Sequence, residues 1–379
     1  MGAERAICVG LMSGTSLDAV DAAACEFAAD GRLLRLLGTH SEAYPPALRE
    51  ELLALQRRPD TPVTLRDIAR LDAAVGDCFA QAANRLLESL KLAPASVAAI
   101  GSHGQTVFHD PLLLRTTTQL GDPNRIAART GIATVGDFRR ADMAWDGQGA
   151  PLVPAFHHAM FARAGVQRVI ANIGGIANIT VLPGDDPAAV FGFDTGPGNA
   201  LMDDWIQHHD GARFDRDGAW AGSGRVDAAL LERWLAELYF AAPRPKSTGR
   251  DVFNFDWFSR DLPAGLAPAD VQRTLLQLTV ETLARAIVVH APASETLLVC
   301  GGGARNTLLM RELAARLPDL KVADTGTLGL DPGWVEAPAF AWLAQRRLAG
   351  RAGNLPAVTG AARPAVLGGL YAAPLPGPN

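Results

Sequence analysis

The sequence predicts an α/β protein with two similar halves, and three observations lead to that prediction. A strand, a turn of small residues and a second strand occupy residues 5–27, and the same succession returns at 166–182. Apolar residues at spacings of three, four or seven over residues 65–90 indicate one long amphipathic helix. The third observation is a strand, 189–193, that ends in Asp194 and a glycine turn before another helix.

Composition narrows the class of protein. The 379 residues are 48% hydrophobic and 20% charged, which is typical of a globular chain with room for two domains. A net charge of -5 gives no general attraction for nucleic acid or anionic membranes, so any phosphate must be bound locally. The cysteines are widely spaced, and we find neither a leader pattern nor a long apolar run. We therefore expect a cytoplasmic protein with buried thiols.

The first predicted hairpin has a polar tip at residues 13–18, with the sequence SGTSLD. Backbone amides, hydroxyls and one carboxylate lie within a few residues of each other there. Such a group suits a terminal phosphate and its Mg²⁺ ion. The same residue types are common in ordinary turns, which stays an alternative interpretation.

Polar side chains also follow later strands. The predicted strand 97–100 leads to His103 and Gln105, and strand ends are where open α/β sheets bind ligands. Arg139 and Arg140 form an adjacent pair that could hold a carboxylate or phosphate through paired hydrogen bonds. A pair of solvated surface arginines is the alternative.

Asp194 is the leading candidate for a catalytic acid or base. It ends a predicted strand and precedes the turn 196–198 and a helix that Asn199 could cap. Polar ligands collect at such positions because the unpaired amides of a helix N-terminus carry partial positive charge. A simple turn-capping role for Asp194 is equally compatible with these few residues.

Two further segments could contact a nucleotide. Three consecutive glycines, 301–303, follow a predicted buried strand and precede a helix opened by Asn306. Glycines let a backbone approach a flat ligand such as a nucleoside, although a plain turn would also use them. The basic loop 243–250 could touch phosphate or could be a flexible surface loop. We predict that the proline-rich stretch from Leu355 onward is loop.

The two glycine-turn hairpins, the strand-end Asp194 and the triple glycine together resemble actin, Hsp70 and the sugar kinases. This resemblance implies two RNase H-like domains with mixed five-stranded sheets flanked by helices and a nucleotide cleft between them. The expected domains are residues 1–150 and 151–379. Whether the helix from about Glu336 packs back on the first domain is left open.

Within that group the sequence is similar to the anhydro-N-acetylmuramic acid kinases over nearly its whole length. The matching stretches occur in the family's order: GLMSGTSLD (10–18), GSHGQT (101–106), DFRR (137–140), GAPLVPAF (149–156), NIGGIANIT (172–180), GFDTGPGN (192–199), KSTGR (246–250) and GGGARN (301–306). Each stretch is short, but their joint occurrence is specific. Ala19, Asp146 and Asp251 depart from the family's usual Gly, Gly and Glu, which bears on loop geometry only.

The resemblance implies an ATP-dependent kinase acting on 1,6-anhydro-N-acetylmuramic acid. Water would open the anhydro ring while O6 is phosphorylated, giving N-acetylmuramic acid 6-phosphate and ADP, a step in peptidoglycan recycling. Asp194 would be the general base that activates the water. ATP and Mg²⁺ are the implied cofactors. The implied partners are small molecules, with no nucleic acid or membrane, and a homodimer is compatible with the family.

The resemblance also assigns residues to the substrates. Phosphate contacts in the first half fall on Ser13, Gly14, Thr15, Ser16, Leu17, Asp18, Ala19, Val20 and Asp21, with Mg²⁺ at Asp18 directly or through water. In the second half, ATP contacts fall on Asn172, Gly174, Gly175, Gly196, Gly198, Asn199, Gly301, Gly302, Gly303 and Asn306. Sugar contacts fall on His103, Gln105, Thr106, Arg139, Arg140 and Glu336, although Glu336 could simply favour a helix N-terminus.

Other functions remain open at this stage. A kinase for a different amino sugar would share every feature named above. A carbamoyl-transferring relative would need a metal-binding histidine pair, which His103 and His109 do not supply. A sugar-sensing repressor would need a DNA-binding helix-turn-helix, for which there is no pattern before Arg5. A glycan hydrolase using Asp194 and Glu336 would leave the glycine turns without a purpose.

Overall fold

The structure, a computed structural model, describes residues 5–14, 17–57, 62–244, 246–250 and 252–373. Backbone contacts divide the chain into two compact units. The first comprises Met1–Met160 together with Glu336–Asn379, and the second comprises Phe161–Val335. The helix that starts at Glu336 therefore belongs to the first unit. Among the described residues, no helix has the length and apolar character needed to cross a bilayer.

The strands and helices of the described residues are as follows. The strands are β1 (Ala6–Met12), β2 (Ala19–Phe27), β3 (Leu33–Ala43), β4 (Val97–Ser102), β5 (Gln105–Asp110), β6 (Thr116–Leu120), β7 (Thr134–Gly136), β8 (Arg168–Ile173), β9 (Ile176–Leu182), β10 (Phe191–Pro197), β11 (Thr296–Cys300), β12 (Lys321–Asp324) and β13 (Gly369–Tyr371). The helices are α1 (Pro46–Arg57), α2 (Leu65–Leu90), α3 (Pro123–Thr130), α4 (Phe138–Met143), α5 (Val153–Phe161), α6 (Ala200–Asp210), α7 (Ala219–Ser223), α8 (Ala228–Leu235), α9 (Leu238–Ala241), α10 (Phe255–Ser259), α11 (Pro268–His290), α12 (Thr307–Arg316), α13 (Glu336–Leu348) and α14 (Pro356–Thr359).

The two main sheets follow the same plan. Their orders are β13-β7-β4-β1-β2-β3 and β10-β9-β8-β11-β12. In each sheet a three-stranded antiparallel meander continues into two parallel strands, β4 and β7 in the first unit and β11 and β12 in the second. This confirms the α/β class and the two related halves, and it is the arrangement expected of RNase H-like domains.

The first sheet differs from the expectation by one strand. β13 adds a sixth strand, pairing antiparallel with β7 so that Leu370 faces Val135. The prediction that the stretch from Leu355 onward is loop is therefore wrong, since it contains α14 and β13. A three-residue edge strand is too short to produce a recognisable alternation of apolar and polar residues.

Helix α2 forms over the predicted residues because its sequence favours both its start and its buried face. Thr64 accepts a hydrogen bond from the Asp67 N–H, and Asp67 in turn accepts one from the Thr64 N–H, a capping box. Leu71, Val75 and Phe79 then lie on one side and are buried in the core of the first unit. Burying each such side chain contributes roughly 1.5 to 3 kcal/mol.

Helix α13 packs directly on the first sheet. A Cβ built on Gly10 of β1 would lie 1.8 Å from the carbonyl oxygen of Ala337, and one on Gly101 of β4 would lie 2.0 Å from that of Phe340. Only glycine leaves room for the helix backbone at both positions. This contact places Glu336, the first residue of α13, beside the strands that carry the candidate sugar residues.

Candidate functional site

Asp194 lies in β10 where the strand pairing is irregular. Asn178 of β9 faces Asp194, but the next partner, Ala177, faces Gly196, so one residue of β10 is left over. Gly196 has a φ of +145°, and a Cβ there would lie 2.6 Å from the ring of Phe240. Bulges of this kind are common next to active sites because they redirect a side chain out of the regular alternation.

The Asp194 side chain is half-buried, and neighbouring residues hold it by hydrogen bonds. The Thr248 N–H donates to its Oδ2 at 3.0 Å, and the Tyr239 hydroxyl donates to the main-chain carbonyl oxygen of Asp194 at 2.7 Å. Burial raises the pKa of Asp194 to about 6, and the Thr248 N–H limits that rise by stabilising the ionised form. A carboxylate with such a pKa is ionised at neutral pH and is a better proton acceptor than an ordinary aspartate.

A second feature of this unit is the turn between β8 and β9, which hydrogen-bonds to the segment after Asp194. The Gly198 N–H donates to the Gly175 carbonyl at 2.9 Å, and the Asn199 N–H donates to the Gly174 carbonyl at 2.8 Å. Asn199 occupies the N-cap position of α6, but its Nδ2 donates to the Ile173 carbonyl at 3.0 Å and its side chain makes no capping bond. Asn199 therefore stands at the N-cap position that the sequence indicates, but its side chain binds β8 instead of capping the helix.

The triple glycine after β11 packs against the end of β8. A Cβ on Gly301 would lie 2.5 Å from Oδ1 of Asn172, and one on Gly303 would lie 2.4 Å from Cγ2 of Ile173. At Gly302 the nearest atom to such a Cβ, Nδ2 of Asn199, is 3.4 Å away. Close packing within the unit thus accounts for glycine at 301 and 303. The structure brings these predicted nucleotide residues together.

Asn306 stands at the start of α12, as predicted. Its Oδ1 accepts a hydrogen bond of 3.0 Å from the Leu309 N–H, which caps the helix. The same oxygen would lie 2.6 Å from a Cβ on Gly218. The side-chain oxygen of Asn306 therefore has a structural role in this unit.

In the first unit, the tip of the β1–β2 hairpin carries the other predicted phosphate residues. Ser13 is buried, and the Gly14 carbonyl accepts a bond of 3.3 Å from the Leu17 N–H, with Leu17 at a φ of +54°. Arg49 of α1 donates to the Leu17 carbonyl at 2.9 Å and lies 3.8 Å from the Asp18 carboxylate. Thr15 and Ser16, which were also predicted to bind phosphate, lie outside the described residues.

The remaining predicted phosphate residues of this hairpin begin β2. The Val20 side chain is buried in the hydrophobic core, so only its backbone could contact a ligand. Ala19 is half-buried. Asp21 accepts a hydrogen bond of 2.7 Å from Ser41, and burial raises the pKa of its carboxyl group.

His103 and Arg139 are joined by a hydrogen bond. The Arg139 Nε–H donates to Nε2 of His103 at 2.9 Å, and Arg139 also donates to the Gly149 carbonyl at 2.9 Å. Burial and the arginine charge hold the pKa of His103 well below its usual range. His103 is therefore neutral and accepts at Nε2, which leaves its proton on Nδ1. Its ring packs on Phe340 of α13, with centroids 4.7 Å apart.

Glu336 belongs to the same group of residues. Burial raises the pKa of its carboxyl group, and the positive charge of Arg139 opposes that rise. Burial lowers the pKa of Arg139 to about 10, and the negative charges of Glu336 and Asp142 oppose that fall. The structure thus brings three predicted sugar residues together, the half-buried guanidinium group of Arg139, the neutral imidazole of His103 and the carboxyl group of Glu336.

Gln105, which is fully buried, and Thr106 lie at the start of β5. The Tyr44 hydroxyl donates to Oε1 of Gln105 at 3.1 Å, and Nε2 of Gln105 donates to the Gly14 carbonyl of the hairpin tip at 3.3 Å. Thr106 accepts a bond of 3.2 Å from Gln119 at its hydroxyl. The predicted sugar residues and the predicted phosphate hairpin are therefore linked by a direct hydrogen bond.

Arg140 has different surroundings from its neighbour. It is exposed and donates from Nε to the Asp137 carboxylate at 2.6 Å. It lines a cavity of about 430 Å³ whose wall also includes Ser102, His103 and Asp72. Arg139 donates a hydrogen bond to His103, whereas Arg140 donates to Asp137. The two adjacent arginines, which the sequence pattern does not distinguish, therefore have different partners in the structure.

Sequence reasoning missed three residues that hold candidate site residues or their neighbours in place, namely Tyr239, Thr248 and Asp142. Tyr239 and Thr248 contact Asp194 from 45 and 54 residues away along the chain. Asp142 is fully buried; its Oδ1 accepts bonds from Asn354 and Thr359, and its Oδ2 accepts one from the Gly149 N–H. The only available signal was the family stretch KSTGR, which includes Thr248.

No group of three or more histidine, cysteine, aspartate or glutamate side chains is arranged to bind a metal in the part of the chain that the structure describes. Asp18 is half-exposed at the hairpin tip. Mg²⁺ in nucleotide sites is bound mainly by phosphate oxygens and water, with one or two carboxylates from the protein. A single carboxylate at this tip fits that mode of binding.

Comparison with solved structures finds matches of low sequence identity. A component of (R)-2-hydroxyglutaryl-CoA dehydratase from Acidaminococcus fermentans aligns with a TM-score of 0.48 and 11% identity, over 91% of this chain and all of that one. A ROK family glucokinase from Streptomyces griseus, solved with glucose and AMPPNP, aligns with a TM-score of 0.38 and 15% identity, over 89% of this chain and 97% of that one.

Comparison with sequences gives a much closer match. The chain is 52% identical to the anhydro-N-acetylmuramic acid kinase of Xanthomonas axonopodis pv. citri over 96% of its own length and 98% of that protein. It is also 52% identical to the protein of that name from Shewanella sp. (strain MR-7), over 97% and 99% of the two chains. The family model described as anhydro-N-acetylmuramic acid kinase matches residues 6–373. The chain therefore belongs to the anhydro-N-acetylmuramic acid kinase family.

Proposed function

We propose that this protein uses ATP to phosphorylate 1,6-anhydro-N-acetylmuramic acid at O6 while water opens the anhydro ring. The products would be N-acetylmuramic acid 6-phosphate and ADP, in peptidoglycan recycling in the cytoplasm. The observation that carries the proposal is the half-buried Asp194 carboxylate at the bulge of β10, within a chain of this family. In this reaction Asp194 is the base, and ring opening is coupled to phosphorylation of O6.

Asp194 has the properties that the hydrolytic half of the reaction needs. Water attacks the anomeric carbon and gives its proton to the base, while the bond from that carbon to O6 breaks. An inverting glycosidase uses a second carboxylic acid to protonate the leaving oxygen. Here O6 forms a new bond to the γ-phosphorus of ATP instead, and ADP leaves, so one base is sufficient. A pKa of about 6 keeps Asp194 ionised at neutral pH.

We assign the phosphates of ATP to the two glycine-containing turns. Phosphoryl transfer depends mostly on positioning and on neutralising charge, so backbone amides and a cation are suitable groups. Gly14 at the tip of the β1–β2 hairpin, Gly174 and Gly175 between β8 and β9, and Gly302 after β11 provide backbone without side chains. When bound, Mg²⁺ would neutralise phosphate charge, and Asp18 would hold it directly or through water.

The sugar is assigned to the first unit. The half-buried Arg139 suits the lactyl carboxylate, because a charge-assisted hydrogen bond is stronger where water is partly excluded. Glu336 and Gln105 would accept and donate hydrogen bonds to sugar hydroxyls or the acetamide. The exposed Arg140 is the alternative carboxylate partner. Its pairing with Asp137 makes it the weaker one.

The decisive experiment follows ¹⁸O from water. The protein is incubated with 1,6-anhydro-N-acetylmuramic acid, Mg-ATP and ¹⁸O-labelled water, and the sugar product is analysed by mass spectrometry. We expect a 6-phosphate that carries the label at the anomeric oxygen, with one ADP formed per sugar. A labelled sugar without phosphate would point to a hydrolase instead. A folded protein that gives neither product would overturn the substrate assignment, and other amino sugars would then be tested.

A further inference from the structure

Residues 246–248 of the basic loop are hydrogen-bonded to both the backbone and the side chain of Asp194. The Asp194 N–H donates to the Lys246 carbonyl at 3.3 Å, and the Thr248 N–H donates to the Asp194 carboxylate at 3.0 Å. The backbone of Asp194 is thus hydrogen-bonded to Lys246, and its side chain is hydrogen-bonded to Thr248. If this segment moved, the carboxylate would lose the hydrogen bond from the Thr248 N–H, which favours its ionised form.

The Lys246 side chain connects residues 246–248 to α9 through hydrogen bonds. Its Nζ donates to the carbonyl of Tyr239 at 3.0 Å and to that of Phe240 at 3.1 Å. These carbonyls belong to α9, a single turn of helix, and a hydrogen bond from a charged ammonium group to a carbonyl oxygen is stronger than a neutral one. The ammonium group also lies 4.7 Å from the centre of the Tyr239 ring and 5.6 Å from that of Phe193.

A lysine, and not an arginine, occupies position 246. The chain has three lysines, Lys91, Lys246 and Lys321, among its 35 basic residues. An ammonium group is compact and directs its donors tetrahedrally, so it can reach two carbonyls of one helical turn beside two aromatic rings. The planar guanidinium fork of arginine suits paired acceptors such as a carboxylate instead. The position therefore requires this particular geometry and not merely a positive charge.

We propose that Lys246 is a positioning residue for Asp194: by binding the carbonyls of Tyr239 and Phe240, it fixes the segment whose Thr248 N–H holds the Asp194 carboxylate. The inference rests on the proposed function, in which Asp194 is the base. Lys246 touches neither water nor sugar in this role. It acts on the reaction only through the orientation and protonation of Asp194.

The test compares Lys246→Met with wild type. The variant should lose protection of the Thr248 amide in hydrogen exchange. The Thr248 N–H favours the ionised carboxylate, so its loss should raise the pKa of Asp194 by about one unit, as expected for one hydrogen bond to a charged group. The acidic limb of the kcat/KM profile should move to higher pH by the same amount. ¹³C NMR of the labelled Asp194 carboxyl group should give the change in pKa without any assay of activity.

Lys321→Met is the matched control, since Lys321 is exposed on β12 of the same unit and is not among the residues that contact Asp194. It should leave the exchange and the titration unchanged. If Lys246→Met does not fold, Lys246→Gln, which keeps a donor but not the charge, is used and should show a smaller shift in the same direction.

The possible results test the role of Lys246 and the proposed reaction separately. A raised Asp194 pKa with the Thr248 amide still protected would show a direct charge effect and overturn the positioning role. Unchanged titration and exchange in Lys246→Met would overturn it as well. An inactive wild-type protein would count against the proposed reaction, while the NMR and exchange results would still decide the role of Lys246.

Discussion

Arg139 donates a hydrogen bond of 2.9 Å to Nε2 of His103, so the imidazole accepts from a cation and stays neutral. Both side chains lie on the first unit, one in α4 and the other just after β4. The bond fixes the ring with its Nδ1–H directed away from the arginine. A neutral histidine in this tautomer keeps a donor at Nδ1 at neutral pH.

Arg139→Lys should weaken sugar binding. A lysine cannot donate to both His103 and the Gly149 carbonyl with the geometry of the guanidinium group. We expect the KM for the sugar to rise about tenfold, corresponding to about 1.4 kcal/mol for a lost hydrogen bond. The KM for ATP should not change. Steady-state kinetics with each substrate varied in turn checks this. Arg140→Lys is the control, and an equal effect there would contradict the assignment.

Asp194→Asn should remove activity and make the protein more stable. Loss of the base should lower kcat by about 10² to 10⁴. The folded-state pKa of Asp194 lies above its unfolded value, so its ionised form destabilises the native state at every pH above about 6. Asparagine has no such charge.

The melting temperature at pH 7.5 should therefore be higher for Asp194→Asn than for wild type, and the difference should shrink as the pH falls from 6 towards 4. Thermal melts across this range measure it. Activity of the wild type should fall below pH 6 as Asp194 takes up its proton. A flat kcat/KM profile between pH 5 and 8 would contradict the role of Asp194.

Gly301→Ala and Gly302→Ala should separate folding from nucleotide binding. Gly301 has a φ of +82°, and its new Cβ would lie 2.5 Å from Asn172, so we expect a destabilisation of about 2 kcal/mol or more. At Gly302 the nearest atom would be 3.4 Å away. That variant should fold normally and raise the KM for ATP if backbone at 302 meets the nucleotide. Chemical denaturation and kinetics measure the two effects.

Asp142→Asn should loosen the loop that supports Arg139. The buried carboxylate accepts from Asn354, Thr359 and the Gly149 N–H, and an amide at this position would direct a donor at one of them. Removing one acceptor from such a buried group costs about 2 to 4 kcal/mol of stability. The KM for the sugar should also rise. Asp146→Asn, on an exposed aspartate paired with Arg115, should change neither quantity measurably.

The fold was predictable where local signals agree. The apolar periodicity of α2 coincides with its capping residues, Thr64 and Asp67, and the helix runs over the predicted residues. Asn306 caps α12 as predicted, whereas Asn199 uses its amide to bind the Ile173 carbonyl instead. Both asparagines look alike in sequence. Only the proximity of β8 decides between them, and proximity is a property of the tertiary structure.

The same limit applies to the candidate site. Asp194 could be found because its strand, its carboxylate and the following glycine turn are consecutive in the chain. Tyr239 and Thr248 could not, since their contacts with Asp194 depend on how distant segments pack. The difference between Arg139 and Arg140 is of this kind too, because these neighbours in α4 have a half-buried and an exposed guanidinium group.

The packing of α13 on β1 and β4 has a consequence for biosynthesis. A ribosome makes the chain from the N-terminus, so residues 161–335 emerge and can form their own unit before α13 exists. Until then the strand faces around Gly10 and Gly101 lack the helix that covers them. The unit begun first is thus completed last. Premature termination between residues 161 and 335 should therefore yield an aggregation-prone product that cellular quality control must bind or degrade.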